Sequence, residues 1–154
     1  MRVPDRKQMR LKNFDYSSEG AYFVTACLQN RLQLFENQQA KEMIEKWILK
    51  IEEKYEVVKV DYFVVMGDHI HIIIFINEKC QIDLPRIMKW FKSMTTNEYI
   101  RGVREGIYEP FEKKFWQRSY YDHIIRNEED LNEKREYILN NPEKEYEKST
   151  YIRV

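Results

Sequence analysis

Apolar and polar positions divide this chain into seven predicted elements. Tyr22-Phe23-Val24-Thr25-Ala26-Cys27-Leu28, after the turn-like run Asp15-Tyr16-Ser17-Ser18-Glu19-Gly20, is rich in β-branched and aromatic residues and predicts a first strand. From Asn37, a suitable N-cap, Ala40, Met43, Ile44, Trp47, Ile48, Ile51 and Tyr55 recur at steps of three and four, the pattern of a helix with one buried face. Val57 to Val65 predicts a second strand, Gly67-Asp68 a two-residue hairpin turn, and His69 to Ile76 a third strand. Asp83 caps a second helix with Pro85 in its first turn, and Leu84, Ile87, Met88, Phe91, Met94 and Tyr99 form its apolar stripe as far as Gly102. The stretch from Gly102 to Gln117 has two glycines, Pro110 and mixed charge without periodicity, and reads as a loop. Ser119 to Arg126 predicts a fourth strand. Asn127 caps a last helix, with Glu128, Glu129 and Asp130 against the positive end of its dipole. Because a residue before proline is pushed away from helical geometry, Pro142 is expected to end that helix near Asn140 or Asn141.

Strand, helix, strand, strand, helix, strand, then one more helix is the split βαβ order of a ferredoxin-like α+β fold: an antiparallel βαββαβ sheet with an added C-terminal helix. In this reading the strands that follow the connecting helices are central, which would put the third strand at an open face or edge. The 154 residues suffice for one domain, with 1–14 a basic lead and 143–154 a tail. Lys and Arg number 26, as do Asp and Glu, so no global positive field marks the chain as a nucleic-acid binder. Basic residues do cluster locally, at Arg2, Arg6, Lys7, Arg10 and Lys12, and again at Arg86, Lys89, Lys92, Arg101 and Arg104. Cys27 and Cys80 are isolated, which suits a reducing compartment. The first residues are charged and the longest apolar run is interrupted by His71, so neither a signal peptide nor a membrane span is expected, and the location expected is cytoplasmic.

The chemistry centres on the third strand. His69 and His71 are two of three histidines, and alternation along a strand sends both side chains to one face, where two imidazoles can chelate one metal ion. The bland alternative makes one a core residue and the other a surface residue. Two nitrogen ligands leave room for a third protein ligand and for substrate oxygens, the arrangement of a catalytic site. On the last helix Tyr137 lies i, i+3 from Asn140 and i, i+4 from Asn141, so an amide can share a side with the phenol. A phenol is a poor nucleophile at neutral pH, its ordinary pKa being about 10, and a divalent cation that polarises the target phosphodiester would help it. The competing reading packs Tyr137 beneath the helix and leaves Asn140-Asn141 merely ending it.

Three ordered segments carry a resemblance. Val64-Val65-Met66-Gly67-Asp68-His69-Ile70-His71, preceded by Tyr22-Phe23-Val24-Thr25, resembles the HUH strand region of single-tyrosine transposases of the insertion-sequence 200-like type, especially the REP-associated tyrosine transposases. Phe115 to Asn127 is similar to the tryptophan-containing segment of that family, and Arg135-Glu136-Tyr137-Ile138-Leu139-Asn140-Asn141-Pro142 to its tyrosine helix. The resemblance, from about Leu11 to Lys144, implies cleavage and strand transfer of single-stranded DNA near a hairpin. It further implies His69 and His71 as ligands of Mg2+ or Mn2+, Tyr137 as the nucleophile that forms a 5′-phosphotyrosine link, and Asn141 as the third ligand. Relatives act as monomers or as homodimers.

One departure stands out: Gly67-Asp68 occupies a place where the family commonly has Pro-Asn. Turn duty is the role expected of Asp68, although it could add negative charge near a metal. Arg86, Lys89, Lys92, Arg118 and Arg126 are candidate phosphate contacts, the alternative being a solvated face; Tyr121 is a candidate base platform, and Trp116 a base platform or, the more frequent role of such a residue, a packing anchor. Two other functions compete. One is a metal-dependent phosphoesterase with His69, His71 and His123 as ligands and water as nucleophile; the other is a domesticated hairpin-binding protein that no longer cleaves.

Overall fold

The structure, a computed structural model, describes residues 20–76 and 82–148, with side chains through Asn141. The basic lead, most of the turn before the first strand, Cys80 and the end of the tail fall outside these residues. Strands β1 (Gly20–Cys27), β2 (Val58–Val65), β3 (His69–Ile76) and β4 (Tyr121–Ile124) form one antiparallel sheet in the order β2-β3-β1-β4. Helices α1 (Gln38–Lys54), α2 (Leu84–Arg104) and α3 (Glu128–Lys148) complete the predicted order. This is the expected ferredoxin-like α+β arrangement, with one correction. β1 and β3 are central, while β2 and β4, which follow the connecting helices, are the edges. Each β-α-β crossover skips one position, and an antiparallel neighbour fills the gap. The histidine strand therefore lies inside the sheet, and every one of its residues is buried.

Alternation along β3 explains how it is covered on both faces. Ile70, Ile72, Ile74 and Ile76 point into a core shared with Ile44, Ile48 and Ile51 of α1 and with Ile87, Met88 and Phe91 of α2. His69, His71, Ile73 and Phe75 take the other face, where Ile73 and Phe75 meet Leu131 and Ile138 of α3. Full burial of each such isoleucine contributes about 1.5–3 kcal/mol, so the α1/α2 layer supplies most of the apolar stabilisation. The α3 face is thinner and more polar. That thinness leaves room for chemistry.

The predicted caps form. Asn37 accepts from the Ala40 N–H at 3.1 Å, Asp83 from Arg86 at 3.0 Å and Asn127 from Asp130 at 2.8 Å. Two helix ends differ from expectation. α2 continues past Gly102, whose missing side chain makes room for the Tyr108 ring, and it closes at Gly106, in the left-handed region at φ +77°. There the Gly106 and Ile107 N–H groups return to Val103 and Gly102 carbonyls, which ties off the last turn. α3 runs through Pro142 to Lys148 instead of ending near Asn140 or Asn141. Proline removes one helical hydrogen bond, and its effect on the preceding residue is a preference; the strong helix formers Glu143, Lys144, Glu145, Glu147 and Lys148 outweigh it.

The loop between α2 and β4 is anchored by aromatic residues. Trp116 is buried, bridges Leu28, contacts the rings of Phe35 and Phe91, and donates from Nε1 to Thr95 Oγ1 at 2.9 Å. Of the two roles open to it, packing anchor and base platform, burial favours the first. β4 keeps only four of the eight residues expected of it.

Candidate active site on the α3 face of the sheet

His69 and His71 do share a face, with ring centroids 4.8 Å apart and planes at 74°. Each has its Nδ1 engaged. Asp68 Oδ1 lies 2.7 Å from His69 Nδ1, and Thr25 Oγ1, opposite His71 in the β1–β3 register, lies 2.8 Å from His71 Nδ1. Burial would raise the Asp68 carboxyl, but hydrogen bonds from His69 and Arg31 more than offset that and hold it at about 2. An ionised carboxylate can only accept, so His69 Nδ1 carries the proton and a neutral ring keeps its lone pair on Nε2. That is the tautomer a metal ligand needs.

Asp68 sits in the expected turn between β2 and β3, and its side chain does more. Its side chain is 4 % exposed and receives Arg31 Nε at 2.8 Å in addition to His69. Its backbone carbonyl accepts from the Leu28 N–H, and that of Gly67 from the Phe35 N–H, both at 2.9 Å. The hairpin tip is thus sewn to the segment after β1.

Tyr137 of α3 stands over this pair. Its ring meets His71 edge-on at 5.2 Å and Phe23 at 5.9 Å, while the residue remains 38 % exposed. Phe23 also stacks on His71 at 5.3 Å, so the histidine ring is held from two sides. One helical turn on, Asn141 is buried and Asn140 exposed, so the inward-facing amide is that of Asn141. All of this is built by one chain. Two imidazoles and an inward amide beside an accessible phenol suit a divalent ion with open positions for substrate oxygens.

His123 points to the same sheet face but lies two strands away, opposite Phe23 on β4, with Nε2 2.7 Å from Asp130 Oδ2. Among the described residues no group of three His, Cys, Asp or Glu is placed to hold a metal. The three-histidine site of the phosphoesterase reading is therefore not assembled. Tyr121 is 61 % exposed and sits opposite Thr25, so His71, Thr25 and Tyr121 form one row across the face. Arg118 and Arg126 are exposed on either side of β4. Arg86 and Lys89 are exposed on α2, in the layer on the opposite face of the sheet. Lys92 has a structural duty: its Nζ donates to the Gln117 and Arg118 carbonyls at 2.9 and 3.3 Å, and burial, aided by Lys114, lowers its pKa.

α3 is fastened to the sheet by a second ion pair. Arg135, two residues before Tyr137, places Nε 2.8 Å from Asp61 Oδ2 and its terminal nitrogen 3.3 Å from Oδ1, with its guanidinium over the Tyr62 ring. Asp61 is fully buried. The register shift between Val60 and Phe63 explains the placement. Val58, Val60, Phe63 and Val65 all join the α1/α2 core, so the strand's alternation is broken between them, and Asp61 and Tyr62 are both left to α3.

The antiparallel ferredoxin-like sheet thus carries a histidine pair on a central strand, with the Tyr137 helix laid across it. The chain belongs to the IS200-like transposase family, whose profile matches residues 16–141. Within that family the likeness is to REP-associated tyrosine transposases. A Haemophilus influenzae protein provisionally named as one is 27 % identical over 134 residues, covering 84 % of this chain and 74 % of the relative. Another H. influenzae protein, whose name assigns no function, is 34 % identical over 161 residues, covering 91 % and 89 %. The solved structure of a REP-associated tyrosine transposase bound to a REP hairpin is similar with a TM-score of 0.66 and 25 % identity, over 82 % of this chain and 68 % of that one. A crystal structure provisionally named as a Deinococcus radiodurans transposase shares the fold at a TM-score of 0.58 and 17 % identity, over 79 % and 90 %. No helix among the described residues is long and apolar enough to cross a membrane.

Proposed function

We propose that this chain is a single-tyrosine HUH DNA endonuclease and strand transferase acting on single-stranded DNA beside a hairpin, in the cytoplasm, with Tyr137 serving the histidines of its own chain. The observation that carries the reading is the approach of Tyr137 to His71 of its own chain, ring to ring at 5.2 Å. Tyr137 Oη attacks the scissile phosphorus, and the bond from phosphorus to the 3′ oxygen breaks. The leaving oxygen takes a proton and becomes a 3′-hydroxyl, the phenolic proton passes to solvent, and the 5′-phosphate stays on the tyrosine. Attack by a 3′-hydroxyl on that phosphorus reverses the exchange and rejoins strands, and no nucleotide cofactor is consumed. His69 through Nε2, together with His71 and Asn141, would hold Mg2+ or Mn2+. When bound, such an ion neutralises and polarises the phosphate. Phe23 and Thr25 fix His71, so the binding face is set before DNA arrives.

The hairpin carried by the structural relative supports a hairpin substrate here. Arg118 and Arg126 suit backbone phosphates near the site, and Arg86 and Lys89 suit a duplex reaching the other side of the protein. Incubating the protein with a single-stranded oligonucleotide that carries a hairpin, plus Mg2+ or Mn2+, is expected to yield a protein–DNA adduct stable to denaturation, and chelation by EDTA to prevent it. Hairpin binding without cleavage under every metal would sink the enzymatic reading in favour of a binding protein.

Tyr121 is the platform for the single strand. Its exposed ring lies in the His71 row, so a base stacked there would sit beside the reacting phosphate. Tyr121→Ala is expected to weaken binding of a hairpin with a single-stranded extension by about 1–3 kcal/mol, read by fluorescence anisotropy. Binding of the same hairpin without the extension should not change; an equal loss for both would remove Tyr121 from the strand path.

A further inference from the structure

The geometry points to Asp68 as a positioning residue for His69: held by Arg31, it locks the imidazole with Nδ1 protonated and Nε2 directed to the metal. This deepens the metal-dependent reading above and rests on it. The carboxylate is buried, accepts from His69 Nδ1 at 2.7 Å through one oxygen and from Arg31 Nε at 2.8 Å through the other, and so has both oxygens directed. A metal-ligating histidine whose second nitrogen donates to a carboxylate is fixed in tautomer and ring orientation and becomes a more basic ligand.

Arg31 is placed for this at a conformational cost. It and Asn30 both occupy the left-handed region, with φ of 51° and 60°, in the short turn that follows β1. Side chains other than glycine adopt that region sparingly, and the surrounding structure must enforce it. The enforcement is visible: Leu28 is tied to the Asp68 carbonyl, Gln29 to that of Phe115, and the Arg31 N–H to that of Leu28. The turn delivers a guanidinium to the hairpin tip. Arg31 also balances the Asp68 charge, so the carboxylate orients His69 without adding a net negative charge beside the pair. His71 Nδ1 faces the Thr25 hydroxyl.

The test compares the intact protein with Asp68→Ala, Asp68→Asn and Arg31→Ala, all checked for folding by their thermal transitions. Long-range 1H–15N NMR of the imidazoles, without metal and above the ordinary imidazole titration range, reads the tautomer directly, with His71→Gln assigning the signals. The intact protein should show His69 with Nδ1–H and a lone pair on Nε2. Asp68→Ala should give a tautomer mixture, and Asp68→Asn, which keeps an acceptor oxygen, should restore most of the lock. Calorimetric Mn2+ binding should weaken roughly 10- to 100-fold in Asp68→Ala, less in Asp68→Asn, and several-fold in Arg31→Ala, whose exposed turn tolerates truncation. An unchanged tautomer and unchanged Mn2+ affinity in Asp68→Ala would overturn the proposal. If Asp68→Ala does not fold, an unaltered tautomer and affinity in Asp68→Asn and Arg31→Ala together would overturn it. No Mn2+ binding by the intact protein, with the tautomer locked as stated, would instead defeat the metal reading on which it rests.

Discussion

Replacing Tyr137 by phenylalanine is expected to abolish the covalent protein–DNA adduct while leaving the fold and hairpin binding in place. The ring contacts with Phe23 and His71 survive the change, so the thermal transition should shift by less than about 1 kcal/mol. What disappears is the proposed nucleophile, and removing an enzyme's nucleophile costs on the order of 10^6-fold in rate, which on this reading brings strand exchange to background. The measurement is a denaturing gel of labelled hairpin oligonucleotide with Mg2+ or Mn2+, beside anisotropy on the same DNA. Cleavage that persists in Tyr137→Phe without an adduct would make water the nucleophile. The same variant tests whether the site is completed within one chain. On the proposed one-chain site, mixing Tyr137→Phe with His71→Ala should yield no adduct. Recovery of the adduct on mixing would show that α3 is exchanged between subunits.

The parts of the site that were legible in the sequence are those that obey a regular period. His69 and His71 lie two apart in a strand, and Tyr137 and Asn141 one turn apart in a helix, so their facings followed from backbone geometry. Burial of Asn141 and exposure of Asn140 then separated two residues that periodicity had left together. The supporting groups had no such signal. Asp68 reads as half of a Gly-Asp turn, and only the fold brings Arg31, 37 positions away, against it. Arg31 itself lies in an irregular turn with left-handed backbone, where no periodic pattern exists. Asp61 was hidden by a bulge, since a break in alternation cannot be placed by counting apolar residues in Val57 to Val65. Trp116, in an aperiodic loop, could be read as packing anchor or base platform, and only the fold decides: the loop folds back and buries it between β1 and α2. The position of β3 within the sheet was likewise a matter of crossover topology, which element order alone does not carry.

The Arg135–Asp61 pair should matter to the reaction as well as to stability. Truncating Arg135 to alanine removes the bidentate partner of a fully buried carboxylate, a change that costs about 3–5 kcal/mol in comparable sites. For a domain of this size the thermal midpoint should fall by on the order of 10 °C. Among the described residues α3 is also held by Leu131 and Ile138 and by the Asp130–His123 contact near its start, so the loss is expected to loosen the part of the helix that presents Tyr137 more than the sheet that presents His69 and His71. Stability and positioning separate in a second variant, Asp61→Leu with Arg135→Met, in which apolar side chains replace both charges. Such replacements often restore or exceed the original stability, but they cannot reproduce two directed hydrogen bonds two residues from Tyr137. The double variant should therefore melt near the intact protein, bind Mn2+ equally well, and still form adduct about 10- to 100-fold more slowly, the scale of loss from a misplacement of about 1 Å. If the double variant recovers both melting temperature and adduct rate, the pair serves stability alone, and the placement of Tyr137 must be credited to its packing on Phe23 and His71.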